Sequence, residues 1–238
     1  MNTGLPKVPT GIPGLDALLD GGLAPGAFVV LDGDPMSAVH ILALEYAAKG
    51  IAAGDGCVYL STKEFGENLA QELVGAGALD AGKRLSIVDA YSALADPQVR
   101  DTEMIQYVSS VSDLPKLSHL TVTAMSNLFS SGVIQQRAVV ESVDTMMMYL
   151  PIQAIYRFLF FIKAKVRSFK GTAIAVLSTD LCQEKDRGIL MELADVVIRM
   201  ESATSTIKVT MPSRPPASGR YSVDDSGLKI SPNGPVRR

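Results

Sequence analysis

Short apolar runs alternate with amphipathic stretches along this chain, and that alternation restricts the fold more than any single residue does. Ala27-Phe-Val-Val-Leu-Asp is a compact apolar run that reads as a buried strand. A loop follows at Gly33-Asp-Pro-Met-Ser-Ala. Residues 39–49 then carry helical periodicity at Ile41, Leu42, Leu44, Glu45 and Ala48, ending at Gly50. Residues 56–61, 84–89, 138–143, 172–178 and 196–200 read as further strands. Helices are predicted over residues 65–76, 120–129, 151–169 and 190–194, and a short one carries Leu15, Leu18 and Leu19 on one face. Residues 206–211 and 220–223 read as a closing antiparallel pair, and residues 95–110 show one helical stretch at most. Strands alternating with helices predict an α/β fold: a mostly parallel central sheet, helices on both faces, and an antiparallel C-terminal edge.

The chain has 238 residues, 47% of them apolar, which suits one large domain with a sizeable core. We expect that domain over residues 10–232, after a polar lead at 1–9 and before a frayed tail at 233–238. The lead lacks the apolar segment of a signal peptide. The most membrane-like stretch, residues 146–162, is interrupted by Pro151, Gln153 and Arg157, and reads as a buried helix. Cys57 and Cys182 stand far apart in apolar segments, as small core residues in a reducing cytoplasm do. A net charge of −3 gives no electrostatic reason to expect nucleic acid as a partner.

In an open parallel sheet, ligands sit beyond the carboxyl ends of the strands, so the first strand–loop–helix is the default site. A working phosphate loop reads G-x-x-x-x-G-K-[ST]. Its glycines let backbone N–H groups curl around phosphate, its Lys neutralises charge, and its hydroxyl binds Mg²⁺. Here the frame is Gly33-Asp34-Pro35-Met36-Ser37-Ala38-Val39-His40. Ala38 stands for the second Gly, Val39 for the Lys and His40 for the hydroxyl. Asp34 adds negative charge to the loop.

Taken whole, the chain resembles the KaiC-like branch of the RecA superfamily. The resemblance is carried by Pro9-Thr-Gly-Ile-Pro-Gly-Leu-Asp-Ala-Leu-Leu-Asp-Gly-Gly-Leu-Ala-Pro-Gly, by the helix Ile41-Leu-Ala-Leu-Glu-Tyr-Ala-Ala-Lys-Gly, by Leu193-Ala-Asp-Val-Val-Ile and by the ending Arg220-Tyr-Ser-Val-Asp-Asp-Ser-Gly-Leu-Lys-Ile-Ser-Pro. It spans residues 10–232 and is weakest over 95–136. It implies a RecA-like P-loop NTPase fold and an ATPase that binds nucleotide between ring neighbours. It also implies a pair of carboxylates after the second strand that activate water. Here Lys63 takes the first place and Glu64 alone remains. It implies an Asp ending the Walker B strand, where Glu141 stands, and basic residues on the closing hairpin, where Arg214 stands alone.

Two readings stand for several of these residues. His40 is either a solvated residue at a helix start or a ligand for phosphate or metal. Lys63 either faces solvent or replaces the missing P-loop Lys from another strand. Glu141 either holds Mg²⁺ through water or caps a strand. The Met146-Met-Met run either packs in the core or makes an adaptable contact surface. No metal site and no tightly held cofactor are expected, residual ATP or ADP with Mg²⁺ remaining open. The leading expectation is a non-hydrolysing regulatory or assembly module, working as a homo-oligomer or beside KaiC-like paralogues. A weakly active ATPase using Lys63 and Glu64, and a DNA-repair accessory protein, are the alternatives.

Overall fold

The computed structural model describes residues 6–178, 183–212 and 214–233. Cys182 and the far end of the tail lie outside them. A ten-stranded sheet runs through the domain in the order β10-β9-β8-β7-β1-β6-β5-β2-β3-β4. The strands from β4 to β7 run parallel: β4 (Ile105–Tyr107), β3 (Leu85–Asp89), β2 (Gly56–Ser61), β5 (Gln136–Val140), β6 (Thr172–Ser178), β1 (Phe28–Gly33) and β7 (Val196–Glu201). The remaining strands, β8 (Thr206–Met211), β9 (Arg214–Asp224) and β10 (Gly227–Pro232), add an antiparallel edge. Every residue of β1, β2, β5 and β6 is buried, because helices cover both faces there.

One face is covered by α1 (Pro13–Leu18), α2 (Val39–Ala52) and α3 (Gly66–Gly75), the other by α6 (Leu114–Ser130), α8 (Ile152–Ser168) and α9 (Glu184–Met191). Ile155, Leu159, Ile162 and Val166 of α8 recur at helical spacing and enter the second core. Burying each such side chain contributes about 2 kcal/mol. Asp113 caps α6, its carboxylate accepting from the Lys116 N–H at 3.0 Å, with Pro115 in the first turn.

The opening motif is a latch. Asp16 Oδ1 accepts from the N–H and hydroxyl of Thr10 at 2.7 and 2.8 Å, and Asp16 Oδ2 accepts from Gly11 N–H at 3.2 Å. This holds α1 against β10 so closely that a Cβ on Gly14 would lie 1.9 Å from the Ile230 carbonyl oxygen. Val8 and Leu23 exchange backbone hydrogen bonds at 2.7 and 2.9 Å, tying residues of the lead to the domain. Beneath the latch, Arg137 is fully buried at the start of β5. Its guanidinium donates to Asp55 at 2.8 Å and to the carbonyls of Thr10, Tyr46 and Pro9 at 2.7, 2.7 and 2.8 Å. Asp195, from the Leu193-Ala-Asp-Val-Val-Ile stretch, accepts from Phe28 N–H at 2.9 Å and pairs with Lys163 and Arg167 at 2.9 and 2.7 Å. It thereby ties the starts of β1 and β7 to α8.

Several boundaries differ from those predicted. Residues 95–110 hold β4 and part of α5 (Ser92–Ala95), and α6 starts at Leu114 rather than residue 120. β5 ends at Val140, because Ser142 caps α7 (Val143–Met147) by accepting from Thr145 N–H. α4 (Ala81–Arg84) takes Arg84 from the predicted third strand. The helix predicted at 190–194 is α9, which lies earlier, and β9 begins at Arg214 rather than residue 220. The methionine run divides: Met146 is in the core and Met148 is exposed.

Candidate nucleotide site

The carboxyl ends of β7, β1, β6, β5 and β2 stand side by side, and the loops and helix starts beyond them build the site. After β1 the chain turns tightly. A Cβ on Gly33 would meet Ser37 Oγ at 2.3 Å and Val39 Cγ1 at 2.7 Å. The N–H and hydroxyl of Ser37 both donate to the Asp34 carbonyl, at 2.9 and 2.6 Å. The Asp34 carboxylate accepts from Met36 N–H at 3.0 Å and Ser202 N–H at 2.7 Å. Hydrogen bonds from Ser202, foremost, hold the Asp34 carboxyl below its usual range. Two loop N–H groups, those of Met36 and Ser37, thus serve oxygens of Asp34. Pro35 and Met36 are exposed, while Ala38 and Val39 are buried; Val39 is only 1% exposed, in the core around α2.

His40 lies in the first turn of α2, and the sheet brings Lys63 to it across 23 positions of sequence. Lys63 Nζ lies 2.6 Å from His40 Nε2. An ammonium can only donate, so the imidazole proton sits on Nδ1, which is buried and has no partner among the described residues. Burial, reinforced by the Lys63 charge and opposed by Asp144, lowers the His40 pKa to about 4. His40 is therefore neutral at pH 7, and neither it nor Lys63 is a freely solvated side chain.

Glu141 follows β5 and accepts from Ser61 Oγ at 3.0 Å and Thr62 N–H at 3.2 Å, joining the ends of β5 and β2. Burial raises its pKa, against the pull of Ser61 and Lys63. Asp144 is buried in α7 and accepts from Ser178 N–H at 3.1 Å. Glu64 turns elsewhere: its Oε1 accepts from Phe65 N–H at 2.9 Å and Asn68 Nδ2 at 3.1 Å, beside the start of α3. Lys63 and Glu64, adjacent in sequence, thus do different work. Arg214 is held within its own chain, donating to the Leu18 carbonyl and lying 3.9 Å from Asp20.

Sequence reasoning missed Asp32. It is fully buried at the end of β1 and pairs with Arg187 of α9 and with Arg199 of β7, the latter at 3.0 Å. The available signal was a carboxylate ending an apolar strand and an Arg interrupting another, since Asp32 and Arg199 pair in register.

The His40 environment sets a pH dependence. Its folded pKa lies below the ordinary 6.5, so the unfolded chain binds more protons between pH 4 and 6.5. Its contribution to stability is present above pH 6.5 and lost as pH falls toward 4. The raised pKa of Glu141 acts in the opposite sense. Thermal melts of the parent and of His40→Gln should therefore diverge in slope over pH 4–6.5, the variant losing less stability on acidification. Parallel curves would refute the assignment.

A cavity of about 710 Å³ lies at the other end of the sheet, near Arg137, Asp55 and Phe129, far from these groups.

A loop and helix after the first of a set of parallel strands, with carboxylates following neighbouring strands, define a P-loop NTPase fold of the RecA type. The chain belongs to the KaiC family: the family model described as "ATPase: KaiC" matches residues 8–214. A UPF0273 protein of Pyrobaculum aerophilum is 27% identical over 161 residues, covering 63% of this chain and 52% of that protein. The circadian clock protein KaiC3 of Synechocystis is 36% identical over 74 residues, covering 31% of this chain and 15% of that protein. This chain therefore spans about half the length of the first and a small part of the second. A UPF0273 protein of Thermotoga maritima is 21% identical over 242 residues, covering 95% of this chain and 96% of that protein. The crystal structure of a KaiC-like protein from Pyrococcus horikoshii superposes with a TM-score of 0.67 at 17% identity, covering 95% of this chain and 99% of that one. At that identity the likeness establishes the fold. Among the described residues, no helix is long and apolar enough to cross a membrane.

Proposed function

We propose that this KaiC-family chain is a non-hydrolysing regulatory or assembly module whose degenerate cleft does not hold Mg-ATP productively. The supporting observation is Val39, packed into the core where a P-loop lysine belongs. The neighbouring groups point the same way. The Asp34 carboxylate takes the Met36 amide, Ser37 is bonded to the Asp34 carbonyl, and a neutral His40 stands where Mg²⁺ needs a hydroxyl. These residues do not fit Mg-ATP. A charge-assisted hydrogen bond to phosphate is worth about 1.5–3 kcal/mol, so one lost lysine alone weakens binding roughly tenfold to a hundredfold. Phosphoryl transfer is catalysed by positioning and charge stabilisation, and several positioning groups differ together. In this reading the chain works in the cytoplasm, assembling with itself or with KaiC-like paralogues. Millimolar Mg-ATP should leave the melting temperature unmoved, and a rise of several degrees would overturn the proposal.

One observation favours a second reading. Lys63 Nζ is brought to the first turn of α2, the end of the helix that attracts anions. If ATP binds, Lys63 supplies the cation that Val39 does not, and Lys63→Ala weakens binding tenfold or more. Turnover that disappears in Glu64→Gln would then give Glu64 a catalytic role beyond its contacts with Phe65 and Asn68.

A further inference from the structure

We infer that the outer face of α8 and α9 is a two-fold docking surface for a second copy of this chain. The inference rests on the assembly half of the proposed function and gives it a place on the molecule. Four large apolar side chains stand out on and just before α8: Met148 is 77% exposed, Tyr149 60%, Phe160 57% and Phe161 37%. Phe160 stacks on Tyr156, with ring centroids 6.4 Å apart and planes 14° from parallel. Exposed apolar side chains of this size, several on one helix, are the material of an interaction site.

Hollows flank the ridge. One of about 350 Å³ lies between α8 and α9, lined by Ile152, Tyr156, Arg157, Ile189 and Glu192. The other, of about 290 Å³, lies between α6 and α8, against Leu114, Phe158 and Phe161. A two-fold interface uses the same patch on both subunits, so the patch must carry both projections and recesses. This one does.

Charge selects the occupant. Residues 152–168 of α8 include Arg157, Lys163, Lys165 and Arg167 and no carboxylate, while α9 mixes Glu184 and Asp186 with Lys185 and Arg187, the last paired with Asp32, and Glu192 follows it. Lys163 and Arg167 are already paired with Asp195. Arg157 and Glu192 have no ion-pair partner among the described residues, yet they line the same hollow. A two-fold mate gives each of them its partner, twice over. An acidic protein or an anionic lipid surface would satisfy Arg157 and oppose Glu192.

The test is the association state of the full chain in sedimentation equilibrium across a micromolar range, without nucleotide, so that its failure leaves the Mg-ATP prediction standing. We expect a dimer, weakened about tenfold or more by Phe160→Asp and by Arg157→Glu. The double variant Arg157→Glu/Glu192→Arg should recover it, and unchanged melting curves should show that the exposed substitutions leave the fold intact. A monomer throughout would overturn the inference, as would a monomer that instead co-sediments with phosphatidylglycerol vesicles. So would a larger oligomer indifferent to Phe160→Asp, or a charge swap that fails to restore pairing.

Discussion

Arg137→Met should lower stability by about 3–5 kcal/mol, the range for breaking a buried ion pair by removing one partner. At this chain length that is roughly a 10 °C fall in melting temperature. Methionine keeps much of the apolar bulk, so the loss reports polar groups left without partners. Asp55 keeps its charge, and the carbonyls of Thr10, Tyr46 and Pro9 lose their donor. The ring of Tyr46 also loses the guanidinium stacked 4.6 Å from its centroid. Two of the three carbonyls belong to the opening segment, so that segment should loosen first. Limited trypsin digestion should then cut at Lys7 faster in the variant than in the parent. Adding Asp55→Asn should return part of the stability, because the stranded charge is gone. Melting within a degree or two of the parent would show that Arg137 is not the tie described.

Gly14→Ala should cost about 2–3 kcal/mol, by overpacking. Nothing flexible stands in the way of the new methyl group: its nearest neighbour, at 1.9 Å, is the backbone oxygen of Ile230. α1 must lift from β10, and the Asp16 bonds to Thr10 and Gly11 must stretch with it. Urea titration measures the effect as a lower midpoint, with little change in slope if the domain still unfolds as a unit. A midpoint equal to that of the parent would mean α1 is free to shift.

The parallel core was legible because β1, β2 and β6 are buried on both faces, which forces unbroken apolar runs. β4 escaped notice because three residues carry no periodicity. The start of β9 was hidden by Pro215 and Pro216, residues that argue against a strand. They are accommodated because they fall where the β8–β9 register shifts, between the Val209–Ala217 and Met211–Arg214 pairs, and beyond Gly219, where the pairing with β10 ends. Position after a strand and before a helix located the Gly33–His40 loop without help from its residues. The Lys63–His40 contact was beyond reach, since it depends on sheet order. The role of Arg137 was invisible in sequence because its partners come from separate segments of the chain. The motifs that carried the resemblance turn out to be structural in part: Asp16 and Asp195 hold elements together.

The burial of Val39 makes the present loop hard to undo. A lysine there must carry its ammonium into an apolar layer, where desolvation favours the uncharged amine. The backbone around it is already closed on Asp34 and Ser37, so one codon change alters a side chain without reopening the cradle. Intermediates on the way back would lose packing before they gained a ligand. Under the function proposed above, such a site would behave as a ratchet: descendants of this chain could drift further from nucleotide more easily than they could return to it.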